Sequence, residues 1–323
     1  MAGFDRRRVA VTGAAGFIGG AIAARLAAEG AQVVAIDLAA GEELAAAGLE
    51  PVTVDVTDRA GLERAVTGCE LVVHAAALVR EWGTMAEFIR VNVGGTAAAI
   101  AAAEAAGARL VQVSSVVVYG YDASSEQDES AFRRVCGIPY IDTKSASDRL
   151  AARRGAVVLR PGDVYGPGSI PWVVRPLELA RAGRIAVPGD GSGVMLPCFI
   201  DDLVAAVLAA AQRGEPGGAY TAWEGVSVTF GEYFDRLCEL AGRPPARRLP
   251  RPMLDALGAG LERWASLRGE APMLTSHSAL FLARRGTASI ERARSELGWE
   301  PSVPLDQGLS RTAAWARAEG LVA

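Results

Sequence analysis

Cysteine and histidine are scarce in this chain of 323 residues. Its four cysteines, Cys69, Cys136, Cys198 and Cys238, include no CxxC pair, so they read as free thiols of a reducing compartment. Its two histidines, His74 and His277, are isolated from each other and from any cysteine cluster, so no metal site is expected. No charge of one sign dominates. A formal net charge of −4 gives no basic footprint for nucleic acid. Long apolar runs are missing too: the longest, Leu203 to Ala211, is far too short to span a bilayer. The opening MAGFDRRRVAVTG is basic but has no apolar stretch and cleavage site, so it does not read as a signal peptide. No internal repeat is visible. These absences predict a cytoplasmic protein with neither a nucleic-acid nor a membrane partner.

The first half alternates short apolar runs with helical stretches. Strands are expected at Arg8–Thr12, Gln32–Asp37, Glu50–Asp55, Leu71–Ala75, Leu110–Ser114 and Ala156–Arg160. Helices are expected at Phe17–Glu29, ended by Gly30, and at the alanine-rich Thr96–Ala106. That alternation predicts an α/β fold with a doubly wound parallel sheet. After Gly166 prolines and glycines crowd the sequence and imply loops and short elements. Asp201–Gln212 then reads as a helix and Gly218–Trp223 as a strand returning to the sheet. From Val228 onward helices dominate. The length allows one large domain or two closely joined ones.

Gly13, Gly16 and Gly19 lie between the first strand and the first helix. Glycines there permit a tight turn, close approach of backbone to a pyrophosphate, and close helix–strand packing, and the helix N-terminus offers free N–H groups. Asp37 ends the second strand, about 20 residues on, where a carboxylate hydrogen-bonds an adenosine ribose and repels a 2′-phosphate. NAD is therefore the expected cofactor. Far downstream, Tyr140 and Lys144 share one helix face at i and i+4. A phenol is a weak acid, with a pKa of about 10. An adjacent ammonium favours its ionised form, so the pair reads as a proton donor and acceptor for hydride chemistry.

The ordered motifs together resemble the extended branch of the short-chain dehydrogenase/reductase superfamily. They are TGAAGFIG, Asp37, DVTD at Asp55–Asp58, VVHAAA at Val72–Ala77, NVGGT at Asn92–Thr96, VSSVVVYG at Val113–Gly120, PYIDTK at Pro139–Lys144, LRPGDVYGPG at Leu159–Gly168 and LGWEP at Leu297–Pro301. The resemblance covers nearly the whole chain. It implies a Rossmann domain over residues 1–168, joined by about 198–226, and a smaller, mostly helical substrate region over 169–197 and 227–323. It implies catalysis by Ser115, Tyr140 and Lys144, with Ser114 the competing serine. It places Gly13, Gly16, Phe17, Ile18, Gly19 and Asp37 around the cofactor, Asp55 and Val56 at the adenine, and Ala75 and Ala76 behind the backbone approach. Pro161 and Val164 would flank the nicotinamide, beside Tyr140 and Lys144, and Asn92 would serve either a proton relay or the structure. His74 is expected to be structural. Relatives pair through two helices, so a homodimer through Thr96–Ala106 and Tyr140–Ala152 is expected.

The substrate is less legible. Val116 and Val117 follow Ser115 where nucleotide-sugar dehydratases carry acids. Met195, Leu196 and Pro197 stand before CFIDDL where nucleotide-sugar epimerases carry a phosphate-clasping arginine, although Arg175, Arg181 or Arg184 could substitute. The stretches Ala77–Thr96 and SIERARSELGWEP resemble the 3β-hydroxysteroid dehydrogenase-like branch. An NAD-dependent dehydrogenase or reductase of an apolar ketone or secondary alcohol is therefore expected, with Val79, Trp82 and Val116 as pocket candidates. An epimerase is the alternative. A catalytically inactive NAD(H) sensor is the reading from another class. Leu254, Leu257, Leu261 and Trp264 form one stripe of an expected helix, Pro252–Leu267. Such a stripe packs the smaller domain's core or, less commonly, walls an apolar pocket.

Overall fold

The computed structural model describes residues 3–80, 82–121, 125–131, 135–272 and 274–322. Seven parallel strands form its central sheet: β1 Arg8–Thr12, β2 Gln32–Asp37, β3 Glu50–Thr53, β4 Leu71–His74, β5 Arg109–Val113, β6 Val157–Pro161 and β7 Ala219–Ala222. Their order is β7-β6-β5-β4-β1-β2-β3. β1 and β4 are apolar on both faces because both faces are covered by helices. Val9, Val11, Val73, Val111 and Leu159 point to α1 (Phe17–Ala28) and its neighbours. Ala10, Val34, Val72, Leu110 and Val158 point to the other layer, built from Arg59–Ala65, α2 (Gly95–Ala106) and α3 (Pro139–Arg153). The helix α4 (Ile200–Arg213) closes the first face and leads into β7, which pairs with β6.

Element ends differ from the sequence reading by a residue or two, as expected for frayed termini. The largest difference is β3, which stops at Thr53 instead of reaching Asp55. The Asp55 carboxylate accepts from the Thr57 N–H at 2.8 Å and its hydroxyl at 2.9 Å, a local turn that competes with the ladder.

Past β6 the chain makes short strands at Asp163–Tyr165, Ala186–Pro188, Val194–Met195 and Pro197–Phe199, as the Pro/Gly density implies. The later helices include α5 (Arg251–Arg268) and the single-turn α6 (Ser278–Phe281). The α5 stripe is not one surface. Leu254 is buried, whereas Leu257 and Trp264 are exposed. The helix touches its support along Leu254, Gly258 and Ala265, about 100° away from Trp264 on a 3.6-residue turn. The LGWEP motif fastens the C-terminal region to α4: Trp299 donates to the Asp202 carbonyl at 3.1 Å, and Asp202 accepts from the Ser302 and Val303 N–H groups.

Candidate active site

The strand C-termini converge on the glycine turn. Gly13 has φ +74°, and a Cβ there would lie 2.9 Å from the Ala76 nitrogen. A Cβ on Gly19 would overlap the Gly13 carbonyl. These glycines are therefore dictated by close backbone approach at the end of β1 and β4, and Ala75 and Ala76 are small for the same reason. Gly16 caps α1 without a side chain, leaving the first N–H groups of Phe17, Ile18 and Gly19 facing the turn. Asp37 leans over this turn and accepts from Ala15 N–H and Ala39 N–H, each at 3.1 Å. Val56 packs its side chain against Gly95 of α2, next to Asp55. The Thr57 bonds hold the Asp55 carboxyl below its ordinary pKa, helped by Arg90. A cradle that any side chain would fill, beside a fixed carboxylate, fits a dinucleotide.

Tyr140 and Lys144 sit in the first turns of α3. Ser115 lies beside Tyr140, lowering its pKa, and caps the turn Val116–Tyr119 by accepting from Val117 N–H at 3.3 Å. Ser114 is engaged elsewhere: its hydroxyl donates to Asp148 at 2.6 Å. Asp148 in turn holds Arg160 through bonds of 2.9 and 2.8 Å, and Arg160 reaches Tyr119 at 3.2 Å. The geometry thus separates the two serines. Pro161 ends β6, and Val164 is buried two residues past Gly162, whose missing side chain admits the Leu196 carbonyl.

Asn92 spends its polar atoms on the chain. It accepts from Leu78 N–H at 2.7 Å and donates to Thr143 at 3.1 Å, bracing the segment after β4 against α3. His74 shares a 2.7 Å hydrogen bond with Thr12, and burial, then Lys144, pushes its pKa down to about 3. It is neutral and structural.

The protonation of the central pair departs from the sequence expectation of a lysine-lowered phenol. Desolvation pushes Tyr140 up to about 12; neighbouring Ser115 opposes this and nearby Asp163 adds to it. Lys144 donates to the Val113 carbonyl at 2.9 Å, and burial pushes it down to about 8, with Asp148 opposing. Burial thus outweighs the neighbouring lysine in setting the state of the phenol. The site holds a protonated phenol across neutral pH, the form that donates to a nascent alkoxide.

Lys144 is the chain's only lysine, so its titration is directly observable. Its folded pKa of about 8 lies below the ordinary lysine value of 10.5. Between those values the unfolded chain binds more protons, so stability rises with pH through that window. At pH 7 the buried ammonium costs stability. Lys144→Met is expected to stabilise the fold at pH 7 by about 1–3 kcal/mol, with the gain shrinking by pH 10. Urea denaturation at both pH values measures it, and a destabilised variant at pH 7 contradicts it.

An apolar wall faces the tyrosine. Val117, Tyr121 and Ile141 form a cluster with Tyr140, Leu280 and Phe281, and Tyr121 meets Phe281 edge-on at 5.0 Å. A narrow cavity beside it is lined by Val116, Tyr119, Leu196 and Arg284. Of the other pocket candidates, Val79 is exposed and Trp82 carries Arg80 stacked at 4.0 Å. Arg175, Arg181 and Arg184 are all exposed, and Arg181 donates to the Leu321 carbonyl. The arginine that does reach the site, Arg284, is one the sequence reading missed. It pairs with buried Asp163, donates to the Val194 carbonyl at 2.8 Å and lies over Phe230 and Phe281. The signal was Asp163, a carboxylate inside an otherwise buried motif. A larger cavity of about 200 Å³ lies at the opposite end of the sheet, lined by Glu104, Arg109, Arg154 and Pro216. Ligands of parallel sheets bind at the carboxyl ends of the strands, so that cavity is not the site.

The profile of the NAD dependent epimerase/dehydratase family matches residues 9–223. The chain belongs to that family. NAD is accordingly its cofactor, and the chain is an oxidoreductase of the extended short-chain type. A 2-alkyl-3-oxoalkanoate reductase of Stenotrophomonas maltophilia (strain K279a) is 32% identical over 95% of this chain and 98% of its own length. A 3 beta-hydroxysteroid dehydrogenase/Delta 5→4-isomerase of Mycobacterium tuberculosis (strain CDC 1551 / Oshkosh) is 27% identical over 94% of this chain and 88% of its own length. Among solved structures, MoeE5 in complex with UDP-glucose and NAD superposes with TM-score 0.77 at 28% identity, covering 97% of this chain and 99% of that one. The resemblance to the 3β-hydroxysteroid dehydrogenase-like branch holds, and a neighbour solved with UDP-glucose shares the same frame.

Proposed function

We propose that the chain interconverts an apolar ketone and its secondary alcohol, a 2-alkyl-3-oxo acid being the leading substrate class. The observation that carries this is the half-buried, protonated Tyr140 beside Ser115 and against a wall of Val117, Leu280 and Phe281. Ser115 positions the substrate oxygen, Tyr140 gives it a proton, and charged Lys144 favours the phenolate left behind. Bound NADH supplies the hydride. Gly13, Gly16, Phe17, Ile18, Gly19, Asp37, Asp55, Val56, Ala75, Ala76, Pro161 and Val164 are the residues that would hold it. The reductase relative supports the substrate class.

An epimerase remains the second reading because of the UDP-glucose-bound neighbour. It is disfavoured by electrostatics. Met195 and Leu196 are buried and apolar, and the charge of Arg284 is matched by Asp163, so among the described residues there the cation nearest the site is already paired. An inactive sensor is disfavoured by the intact Ser115, Tyr140 and Lys144.

A panel of 2-alkyl-3-oxo acids, neutral aliphatic and aromatic ketones, and sterols, followed by NADH absorbance, tests the reading. UDP- and dTDP-sugars need a separate product assay. Conversion of a nucleotide sugar with no ketone turned over would overturn it. In the same assay NADH should be preferred to NADPH by on the order of 10–100-fold, the size of one charge-assisted contact of ~1.5–3 kcal/mol. Asp37→Ala should narrow that ratio, and equal use of both cofactors by the native chain would remove Asp37 from this role.

We also infer a homodimer in which α2 and α3, packed side by side, pair with their copies, and a cytoplasmic location. The division into a cofactor region, 1–168 with 198–226, and a substrate region, 169–197 with 227–323, belongs to the same proposal.

A further inference from the structure

The helix α5 is amphipathic in an unusual sense: its apolar face looks outward. Met253, Leu257, Trp264 and Leu267 are 55%, 49%, 48% and 81% exposed. With Gly260 they fall within about 80° of arc at 100° per residue. Soluble monomers rarely leave such a continuous stripe uncovered without a use for it.

The charges around it point to one occupant. Between residues 243 and 268 the sequence carries six arginines and two carboxylates, in a chain whose net charge is −4. Arg263 and Arg268 flank the stripe on either side, and Arg268 lies over the Trp264 ring at 4.1 Å. Arg243 and Arg247 are exposed just before the helix, although Arg248 is bound to Asp235 and Arg251 to Asp255. The carboxylates, Asp255 and Glu262, sit on the opposite side of the helix, at about 180° from the stripe. An apolar strip with tryptophan and leucine, bordered by arginines and turned away from carboxylates, matches the headgroup region of an anionic bilayer.

The position of α5 gives the match a purpose. Gly258 lets the helix press on the Thr275 carbonyl, and α5 packs on α6. Leu280 and Phe281 at α6 belong to the cluster that contains Tyr140. The exposed face is thus one helix removed from the cap of the site.

We propose that α5 is a peripheral docking helix that lays its Met253–Leu257–Trp264–Leu267 face into a lipid surface carrying negative charge. The chain then lies on the membrane without crossing it: among the described residues no helix is long and apolar enough to span one. The sequence expectation of no membrane partner narrows to no spanning segment. That docking serves delivery of an apolar substrate rests on the ketone reading; the docking itself does not.

The test uses the full chain, without substrate, in co-sedimentation with phosphatidylcholine vesicles and with vesicles of phosphatidylcholine and phosphatidylglycerol. Binding is expected on the mixed vesicles, weaker on phosphatidylcholine alone and weakened by salt. The double variant Leu257→Glu, Trp264→Glu should lose it by on the order of tenfold or more. These positions are exposed, so fold and NAD affinity should survive, which circular dichroism and cofactor titration check. Absence of binding to either vesicle, or equal binding by the variant, overturns the proposal. So does light scattering that shows the double variant alone falling from dimer to monomer, since the stripe would then face a second copy. Because no turnover is read, failure of the ketone assignment leaves this result unaffected.

Discussion

Tyr140→Phe should lower turnover by about 10²–10⁴-fold, the usual contribution of general acid/base catalysis, while NAD still binds. The substitution keeps the ring within the Val117–Ile141–Phe281 cluster and removes only the hydroxyl. The pH behaviour sharpens the test. With Tyr140 near 12, the phenol remains protonated and supplies no basic limb to ketone reduction below about pH 11. The decline of reduction should instead track Lys144 near 8, because a neutral lysine no longer favours the phenolate. A Tyr140→Phe protein with near-native kcat on the substrate identified by the panel would refute the assignment. So would a native enzyme whose reductive rate climbs through pH 8.

The second large effect lies behind the site. Asp148 and Arg160 have side chains 0% and 1% exposed and are joined by two hydrogen bonds. Removing one partner leaves the other charge buried and unpaired, at a cost of about 3–5 kcal/mol. Asp148→Ala should therefore destabilise the fold by that order in urea denaturation. It also releases the Ser114 hydroxyl, one residue before Ser115, so kcat should fall even under conditions where the variant is folded. The double variant Asp148→Leu, Arg160→Met should be less destabilised than Asp148→Ala, since no charge is stranded. A loss below about 1 kcal/mol for Asp148→Ala would mean that solvent or another group compensates Arg160.

Much of this architecture could be read from local chemistry. A glycine triplet between an apolar run and a helix has few physical uses. Asp37 at a strand end and a tyrosine–lysine pair one helical turn apart narrow them further. That Lys144 is the only lysine among so many arginines was equally available in the sequence. The parallel sheet followed from strands alternating with helices, which imply right-handed crossovers. The end of β3 was misplaced because Asp55 prefers its own turn, a competition that apolar periodicity does not report.

What depended on residues far apart was not legible. Ser114 and Ser115 are adjacent, and only the positions of Asp148 and Tyr140 tell them apart. Arg284 reaches Asp163 across 121 positions. The α5 stripe has the right period for a core helix, yet its neighbours cover the wrong side of it.

Periodicity and glycine spacing encode the sheet, the cofactor cradle and the tyrosine–lysine pair, because these arise from backbone geometry and contacts within a turn or two. The protonation of that pair, the division of labour between the serines and the outward face of α5 come from packing. Desolvation, pairing and exposure depend on what the rest of the chain brings alongside each group, and a local pattern carries no record of that.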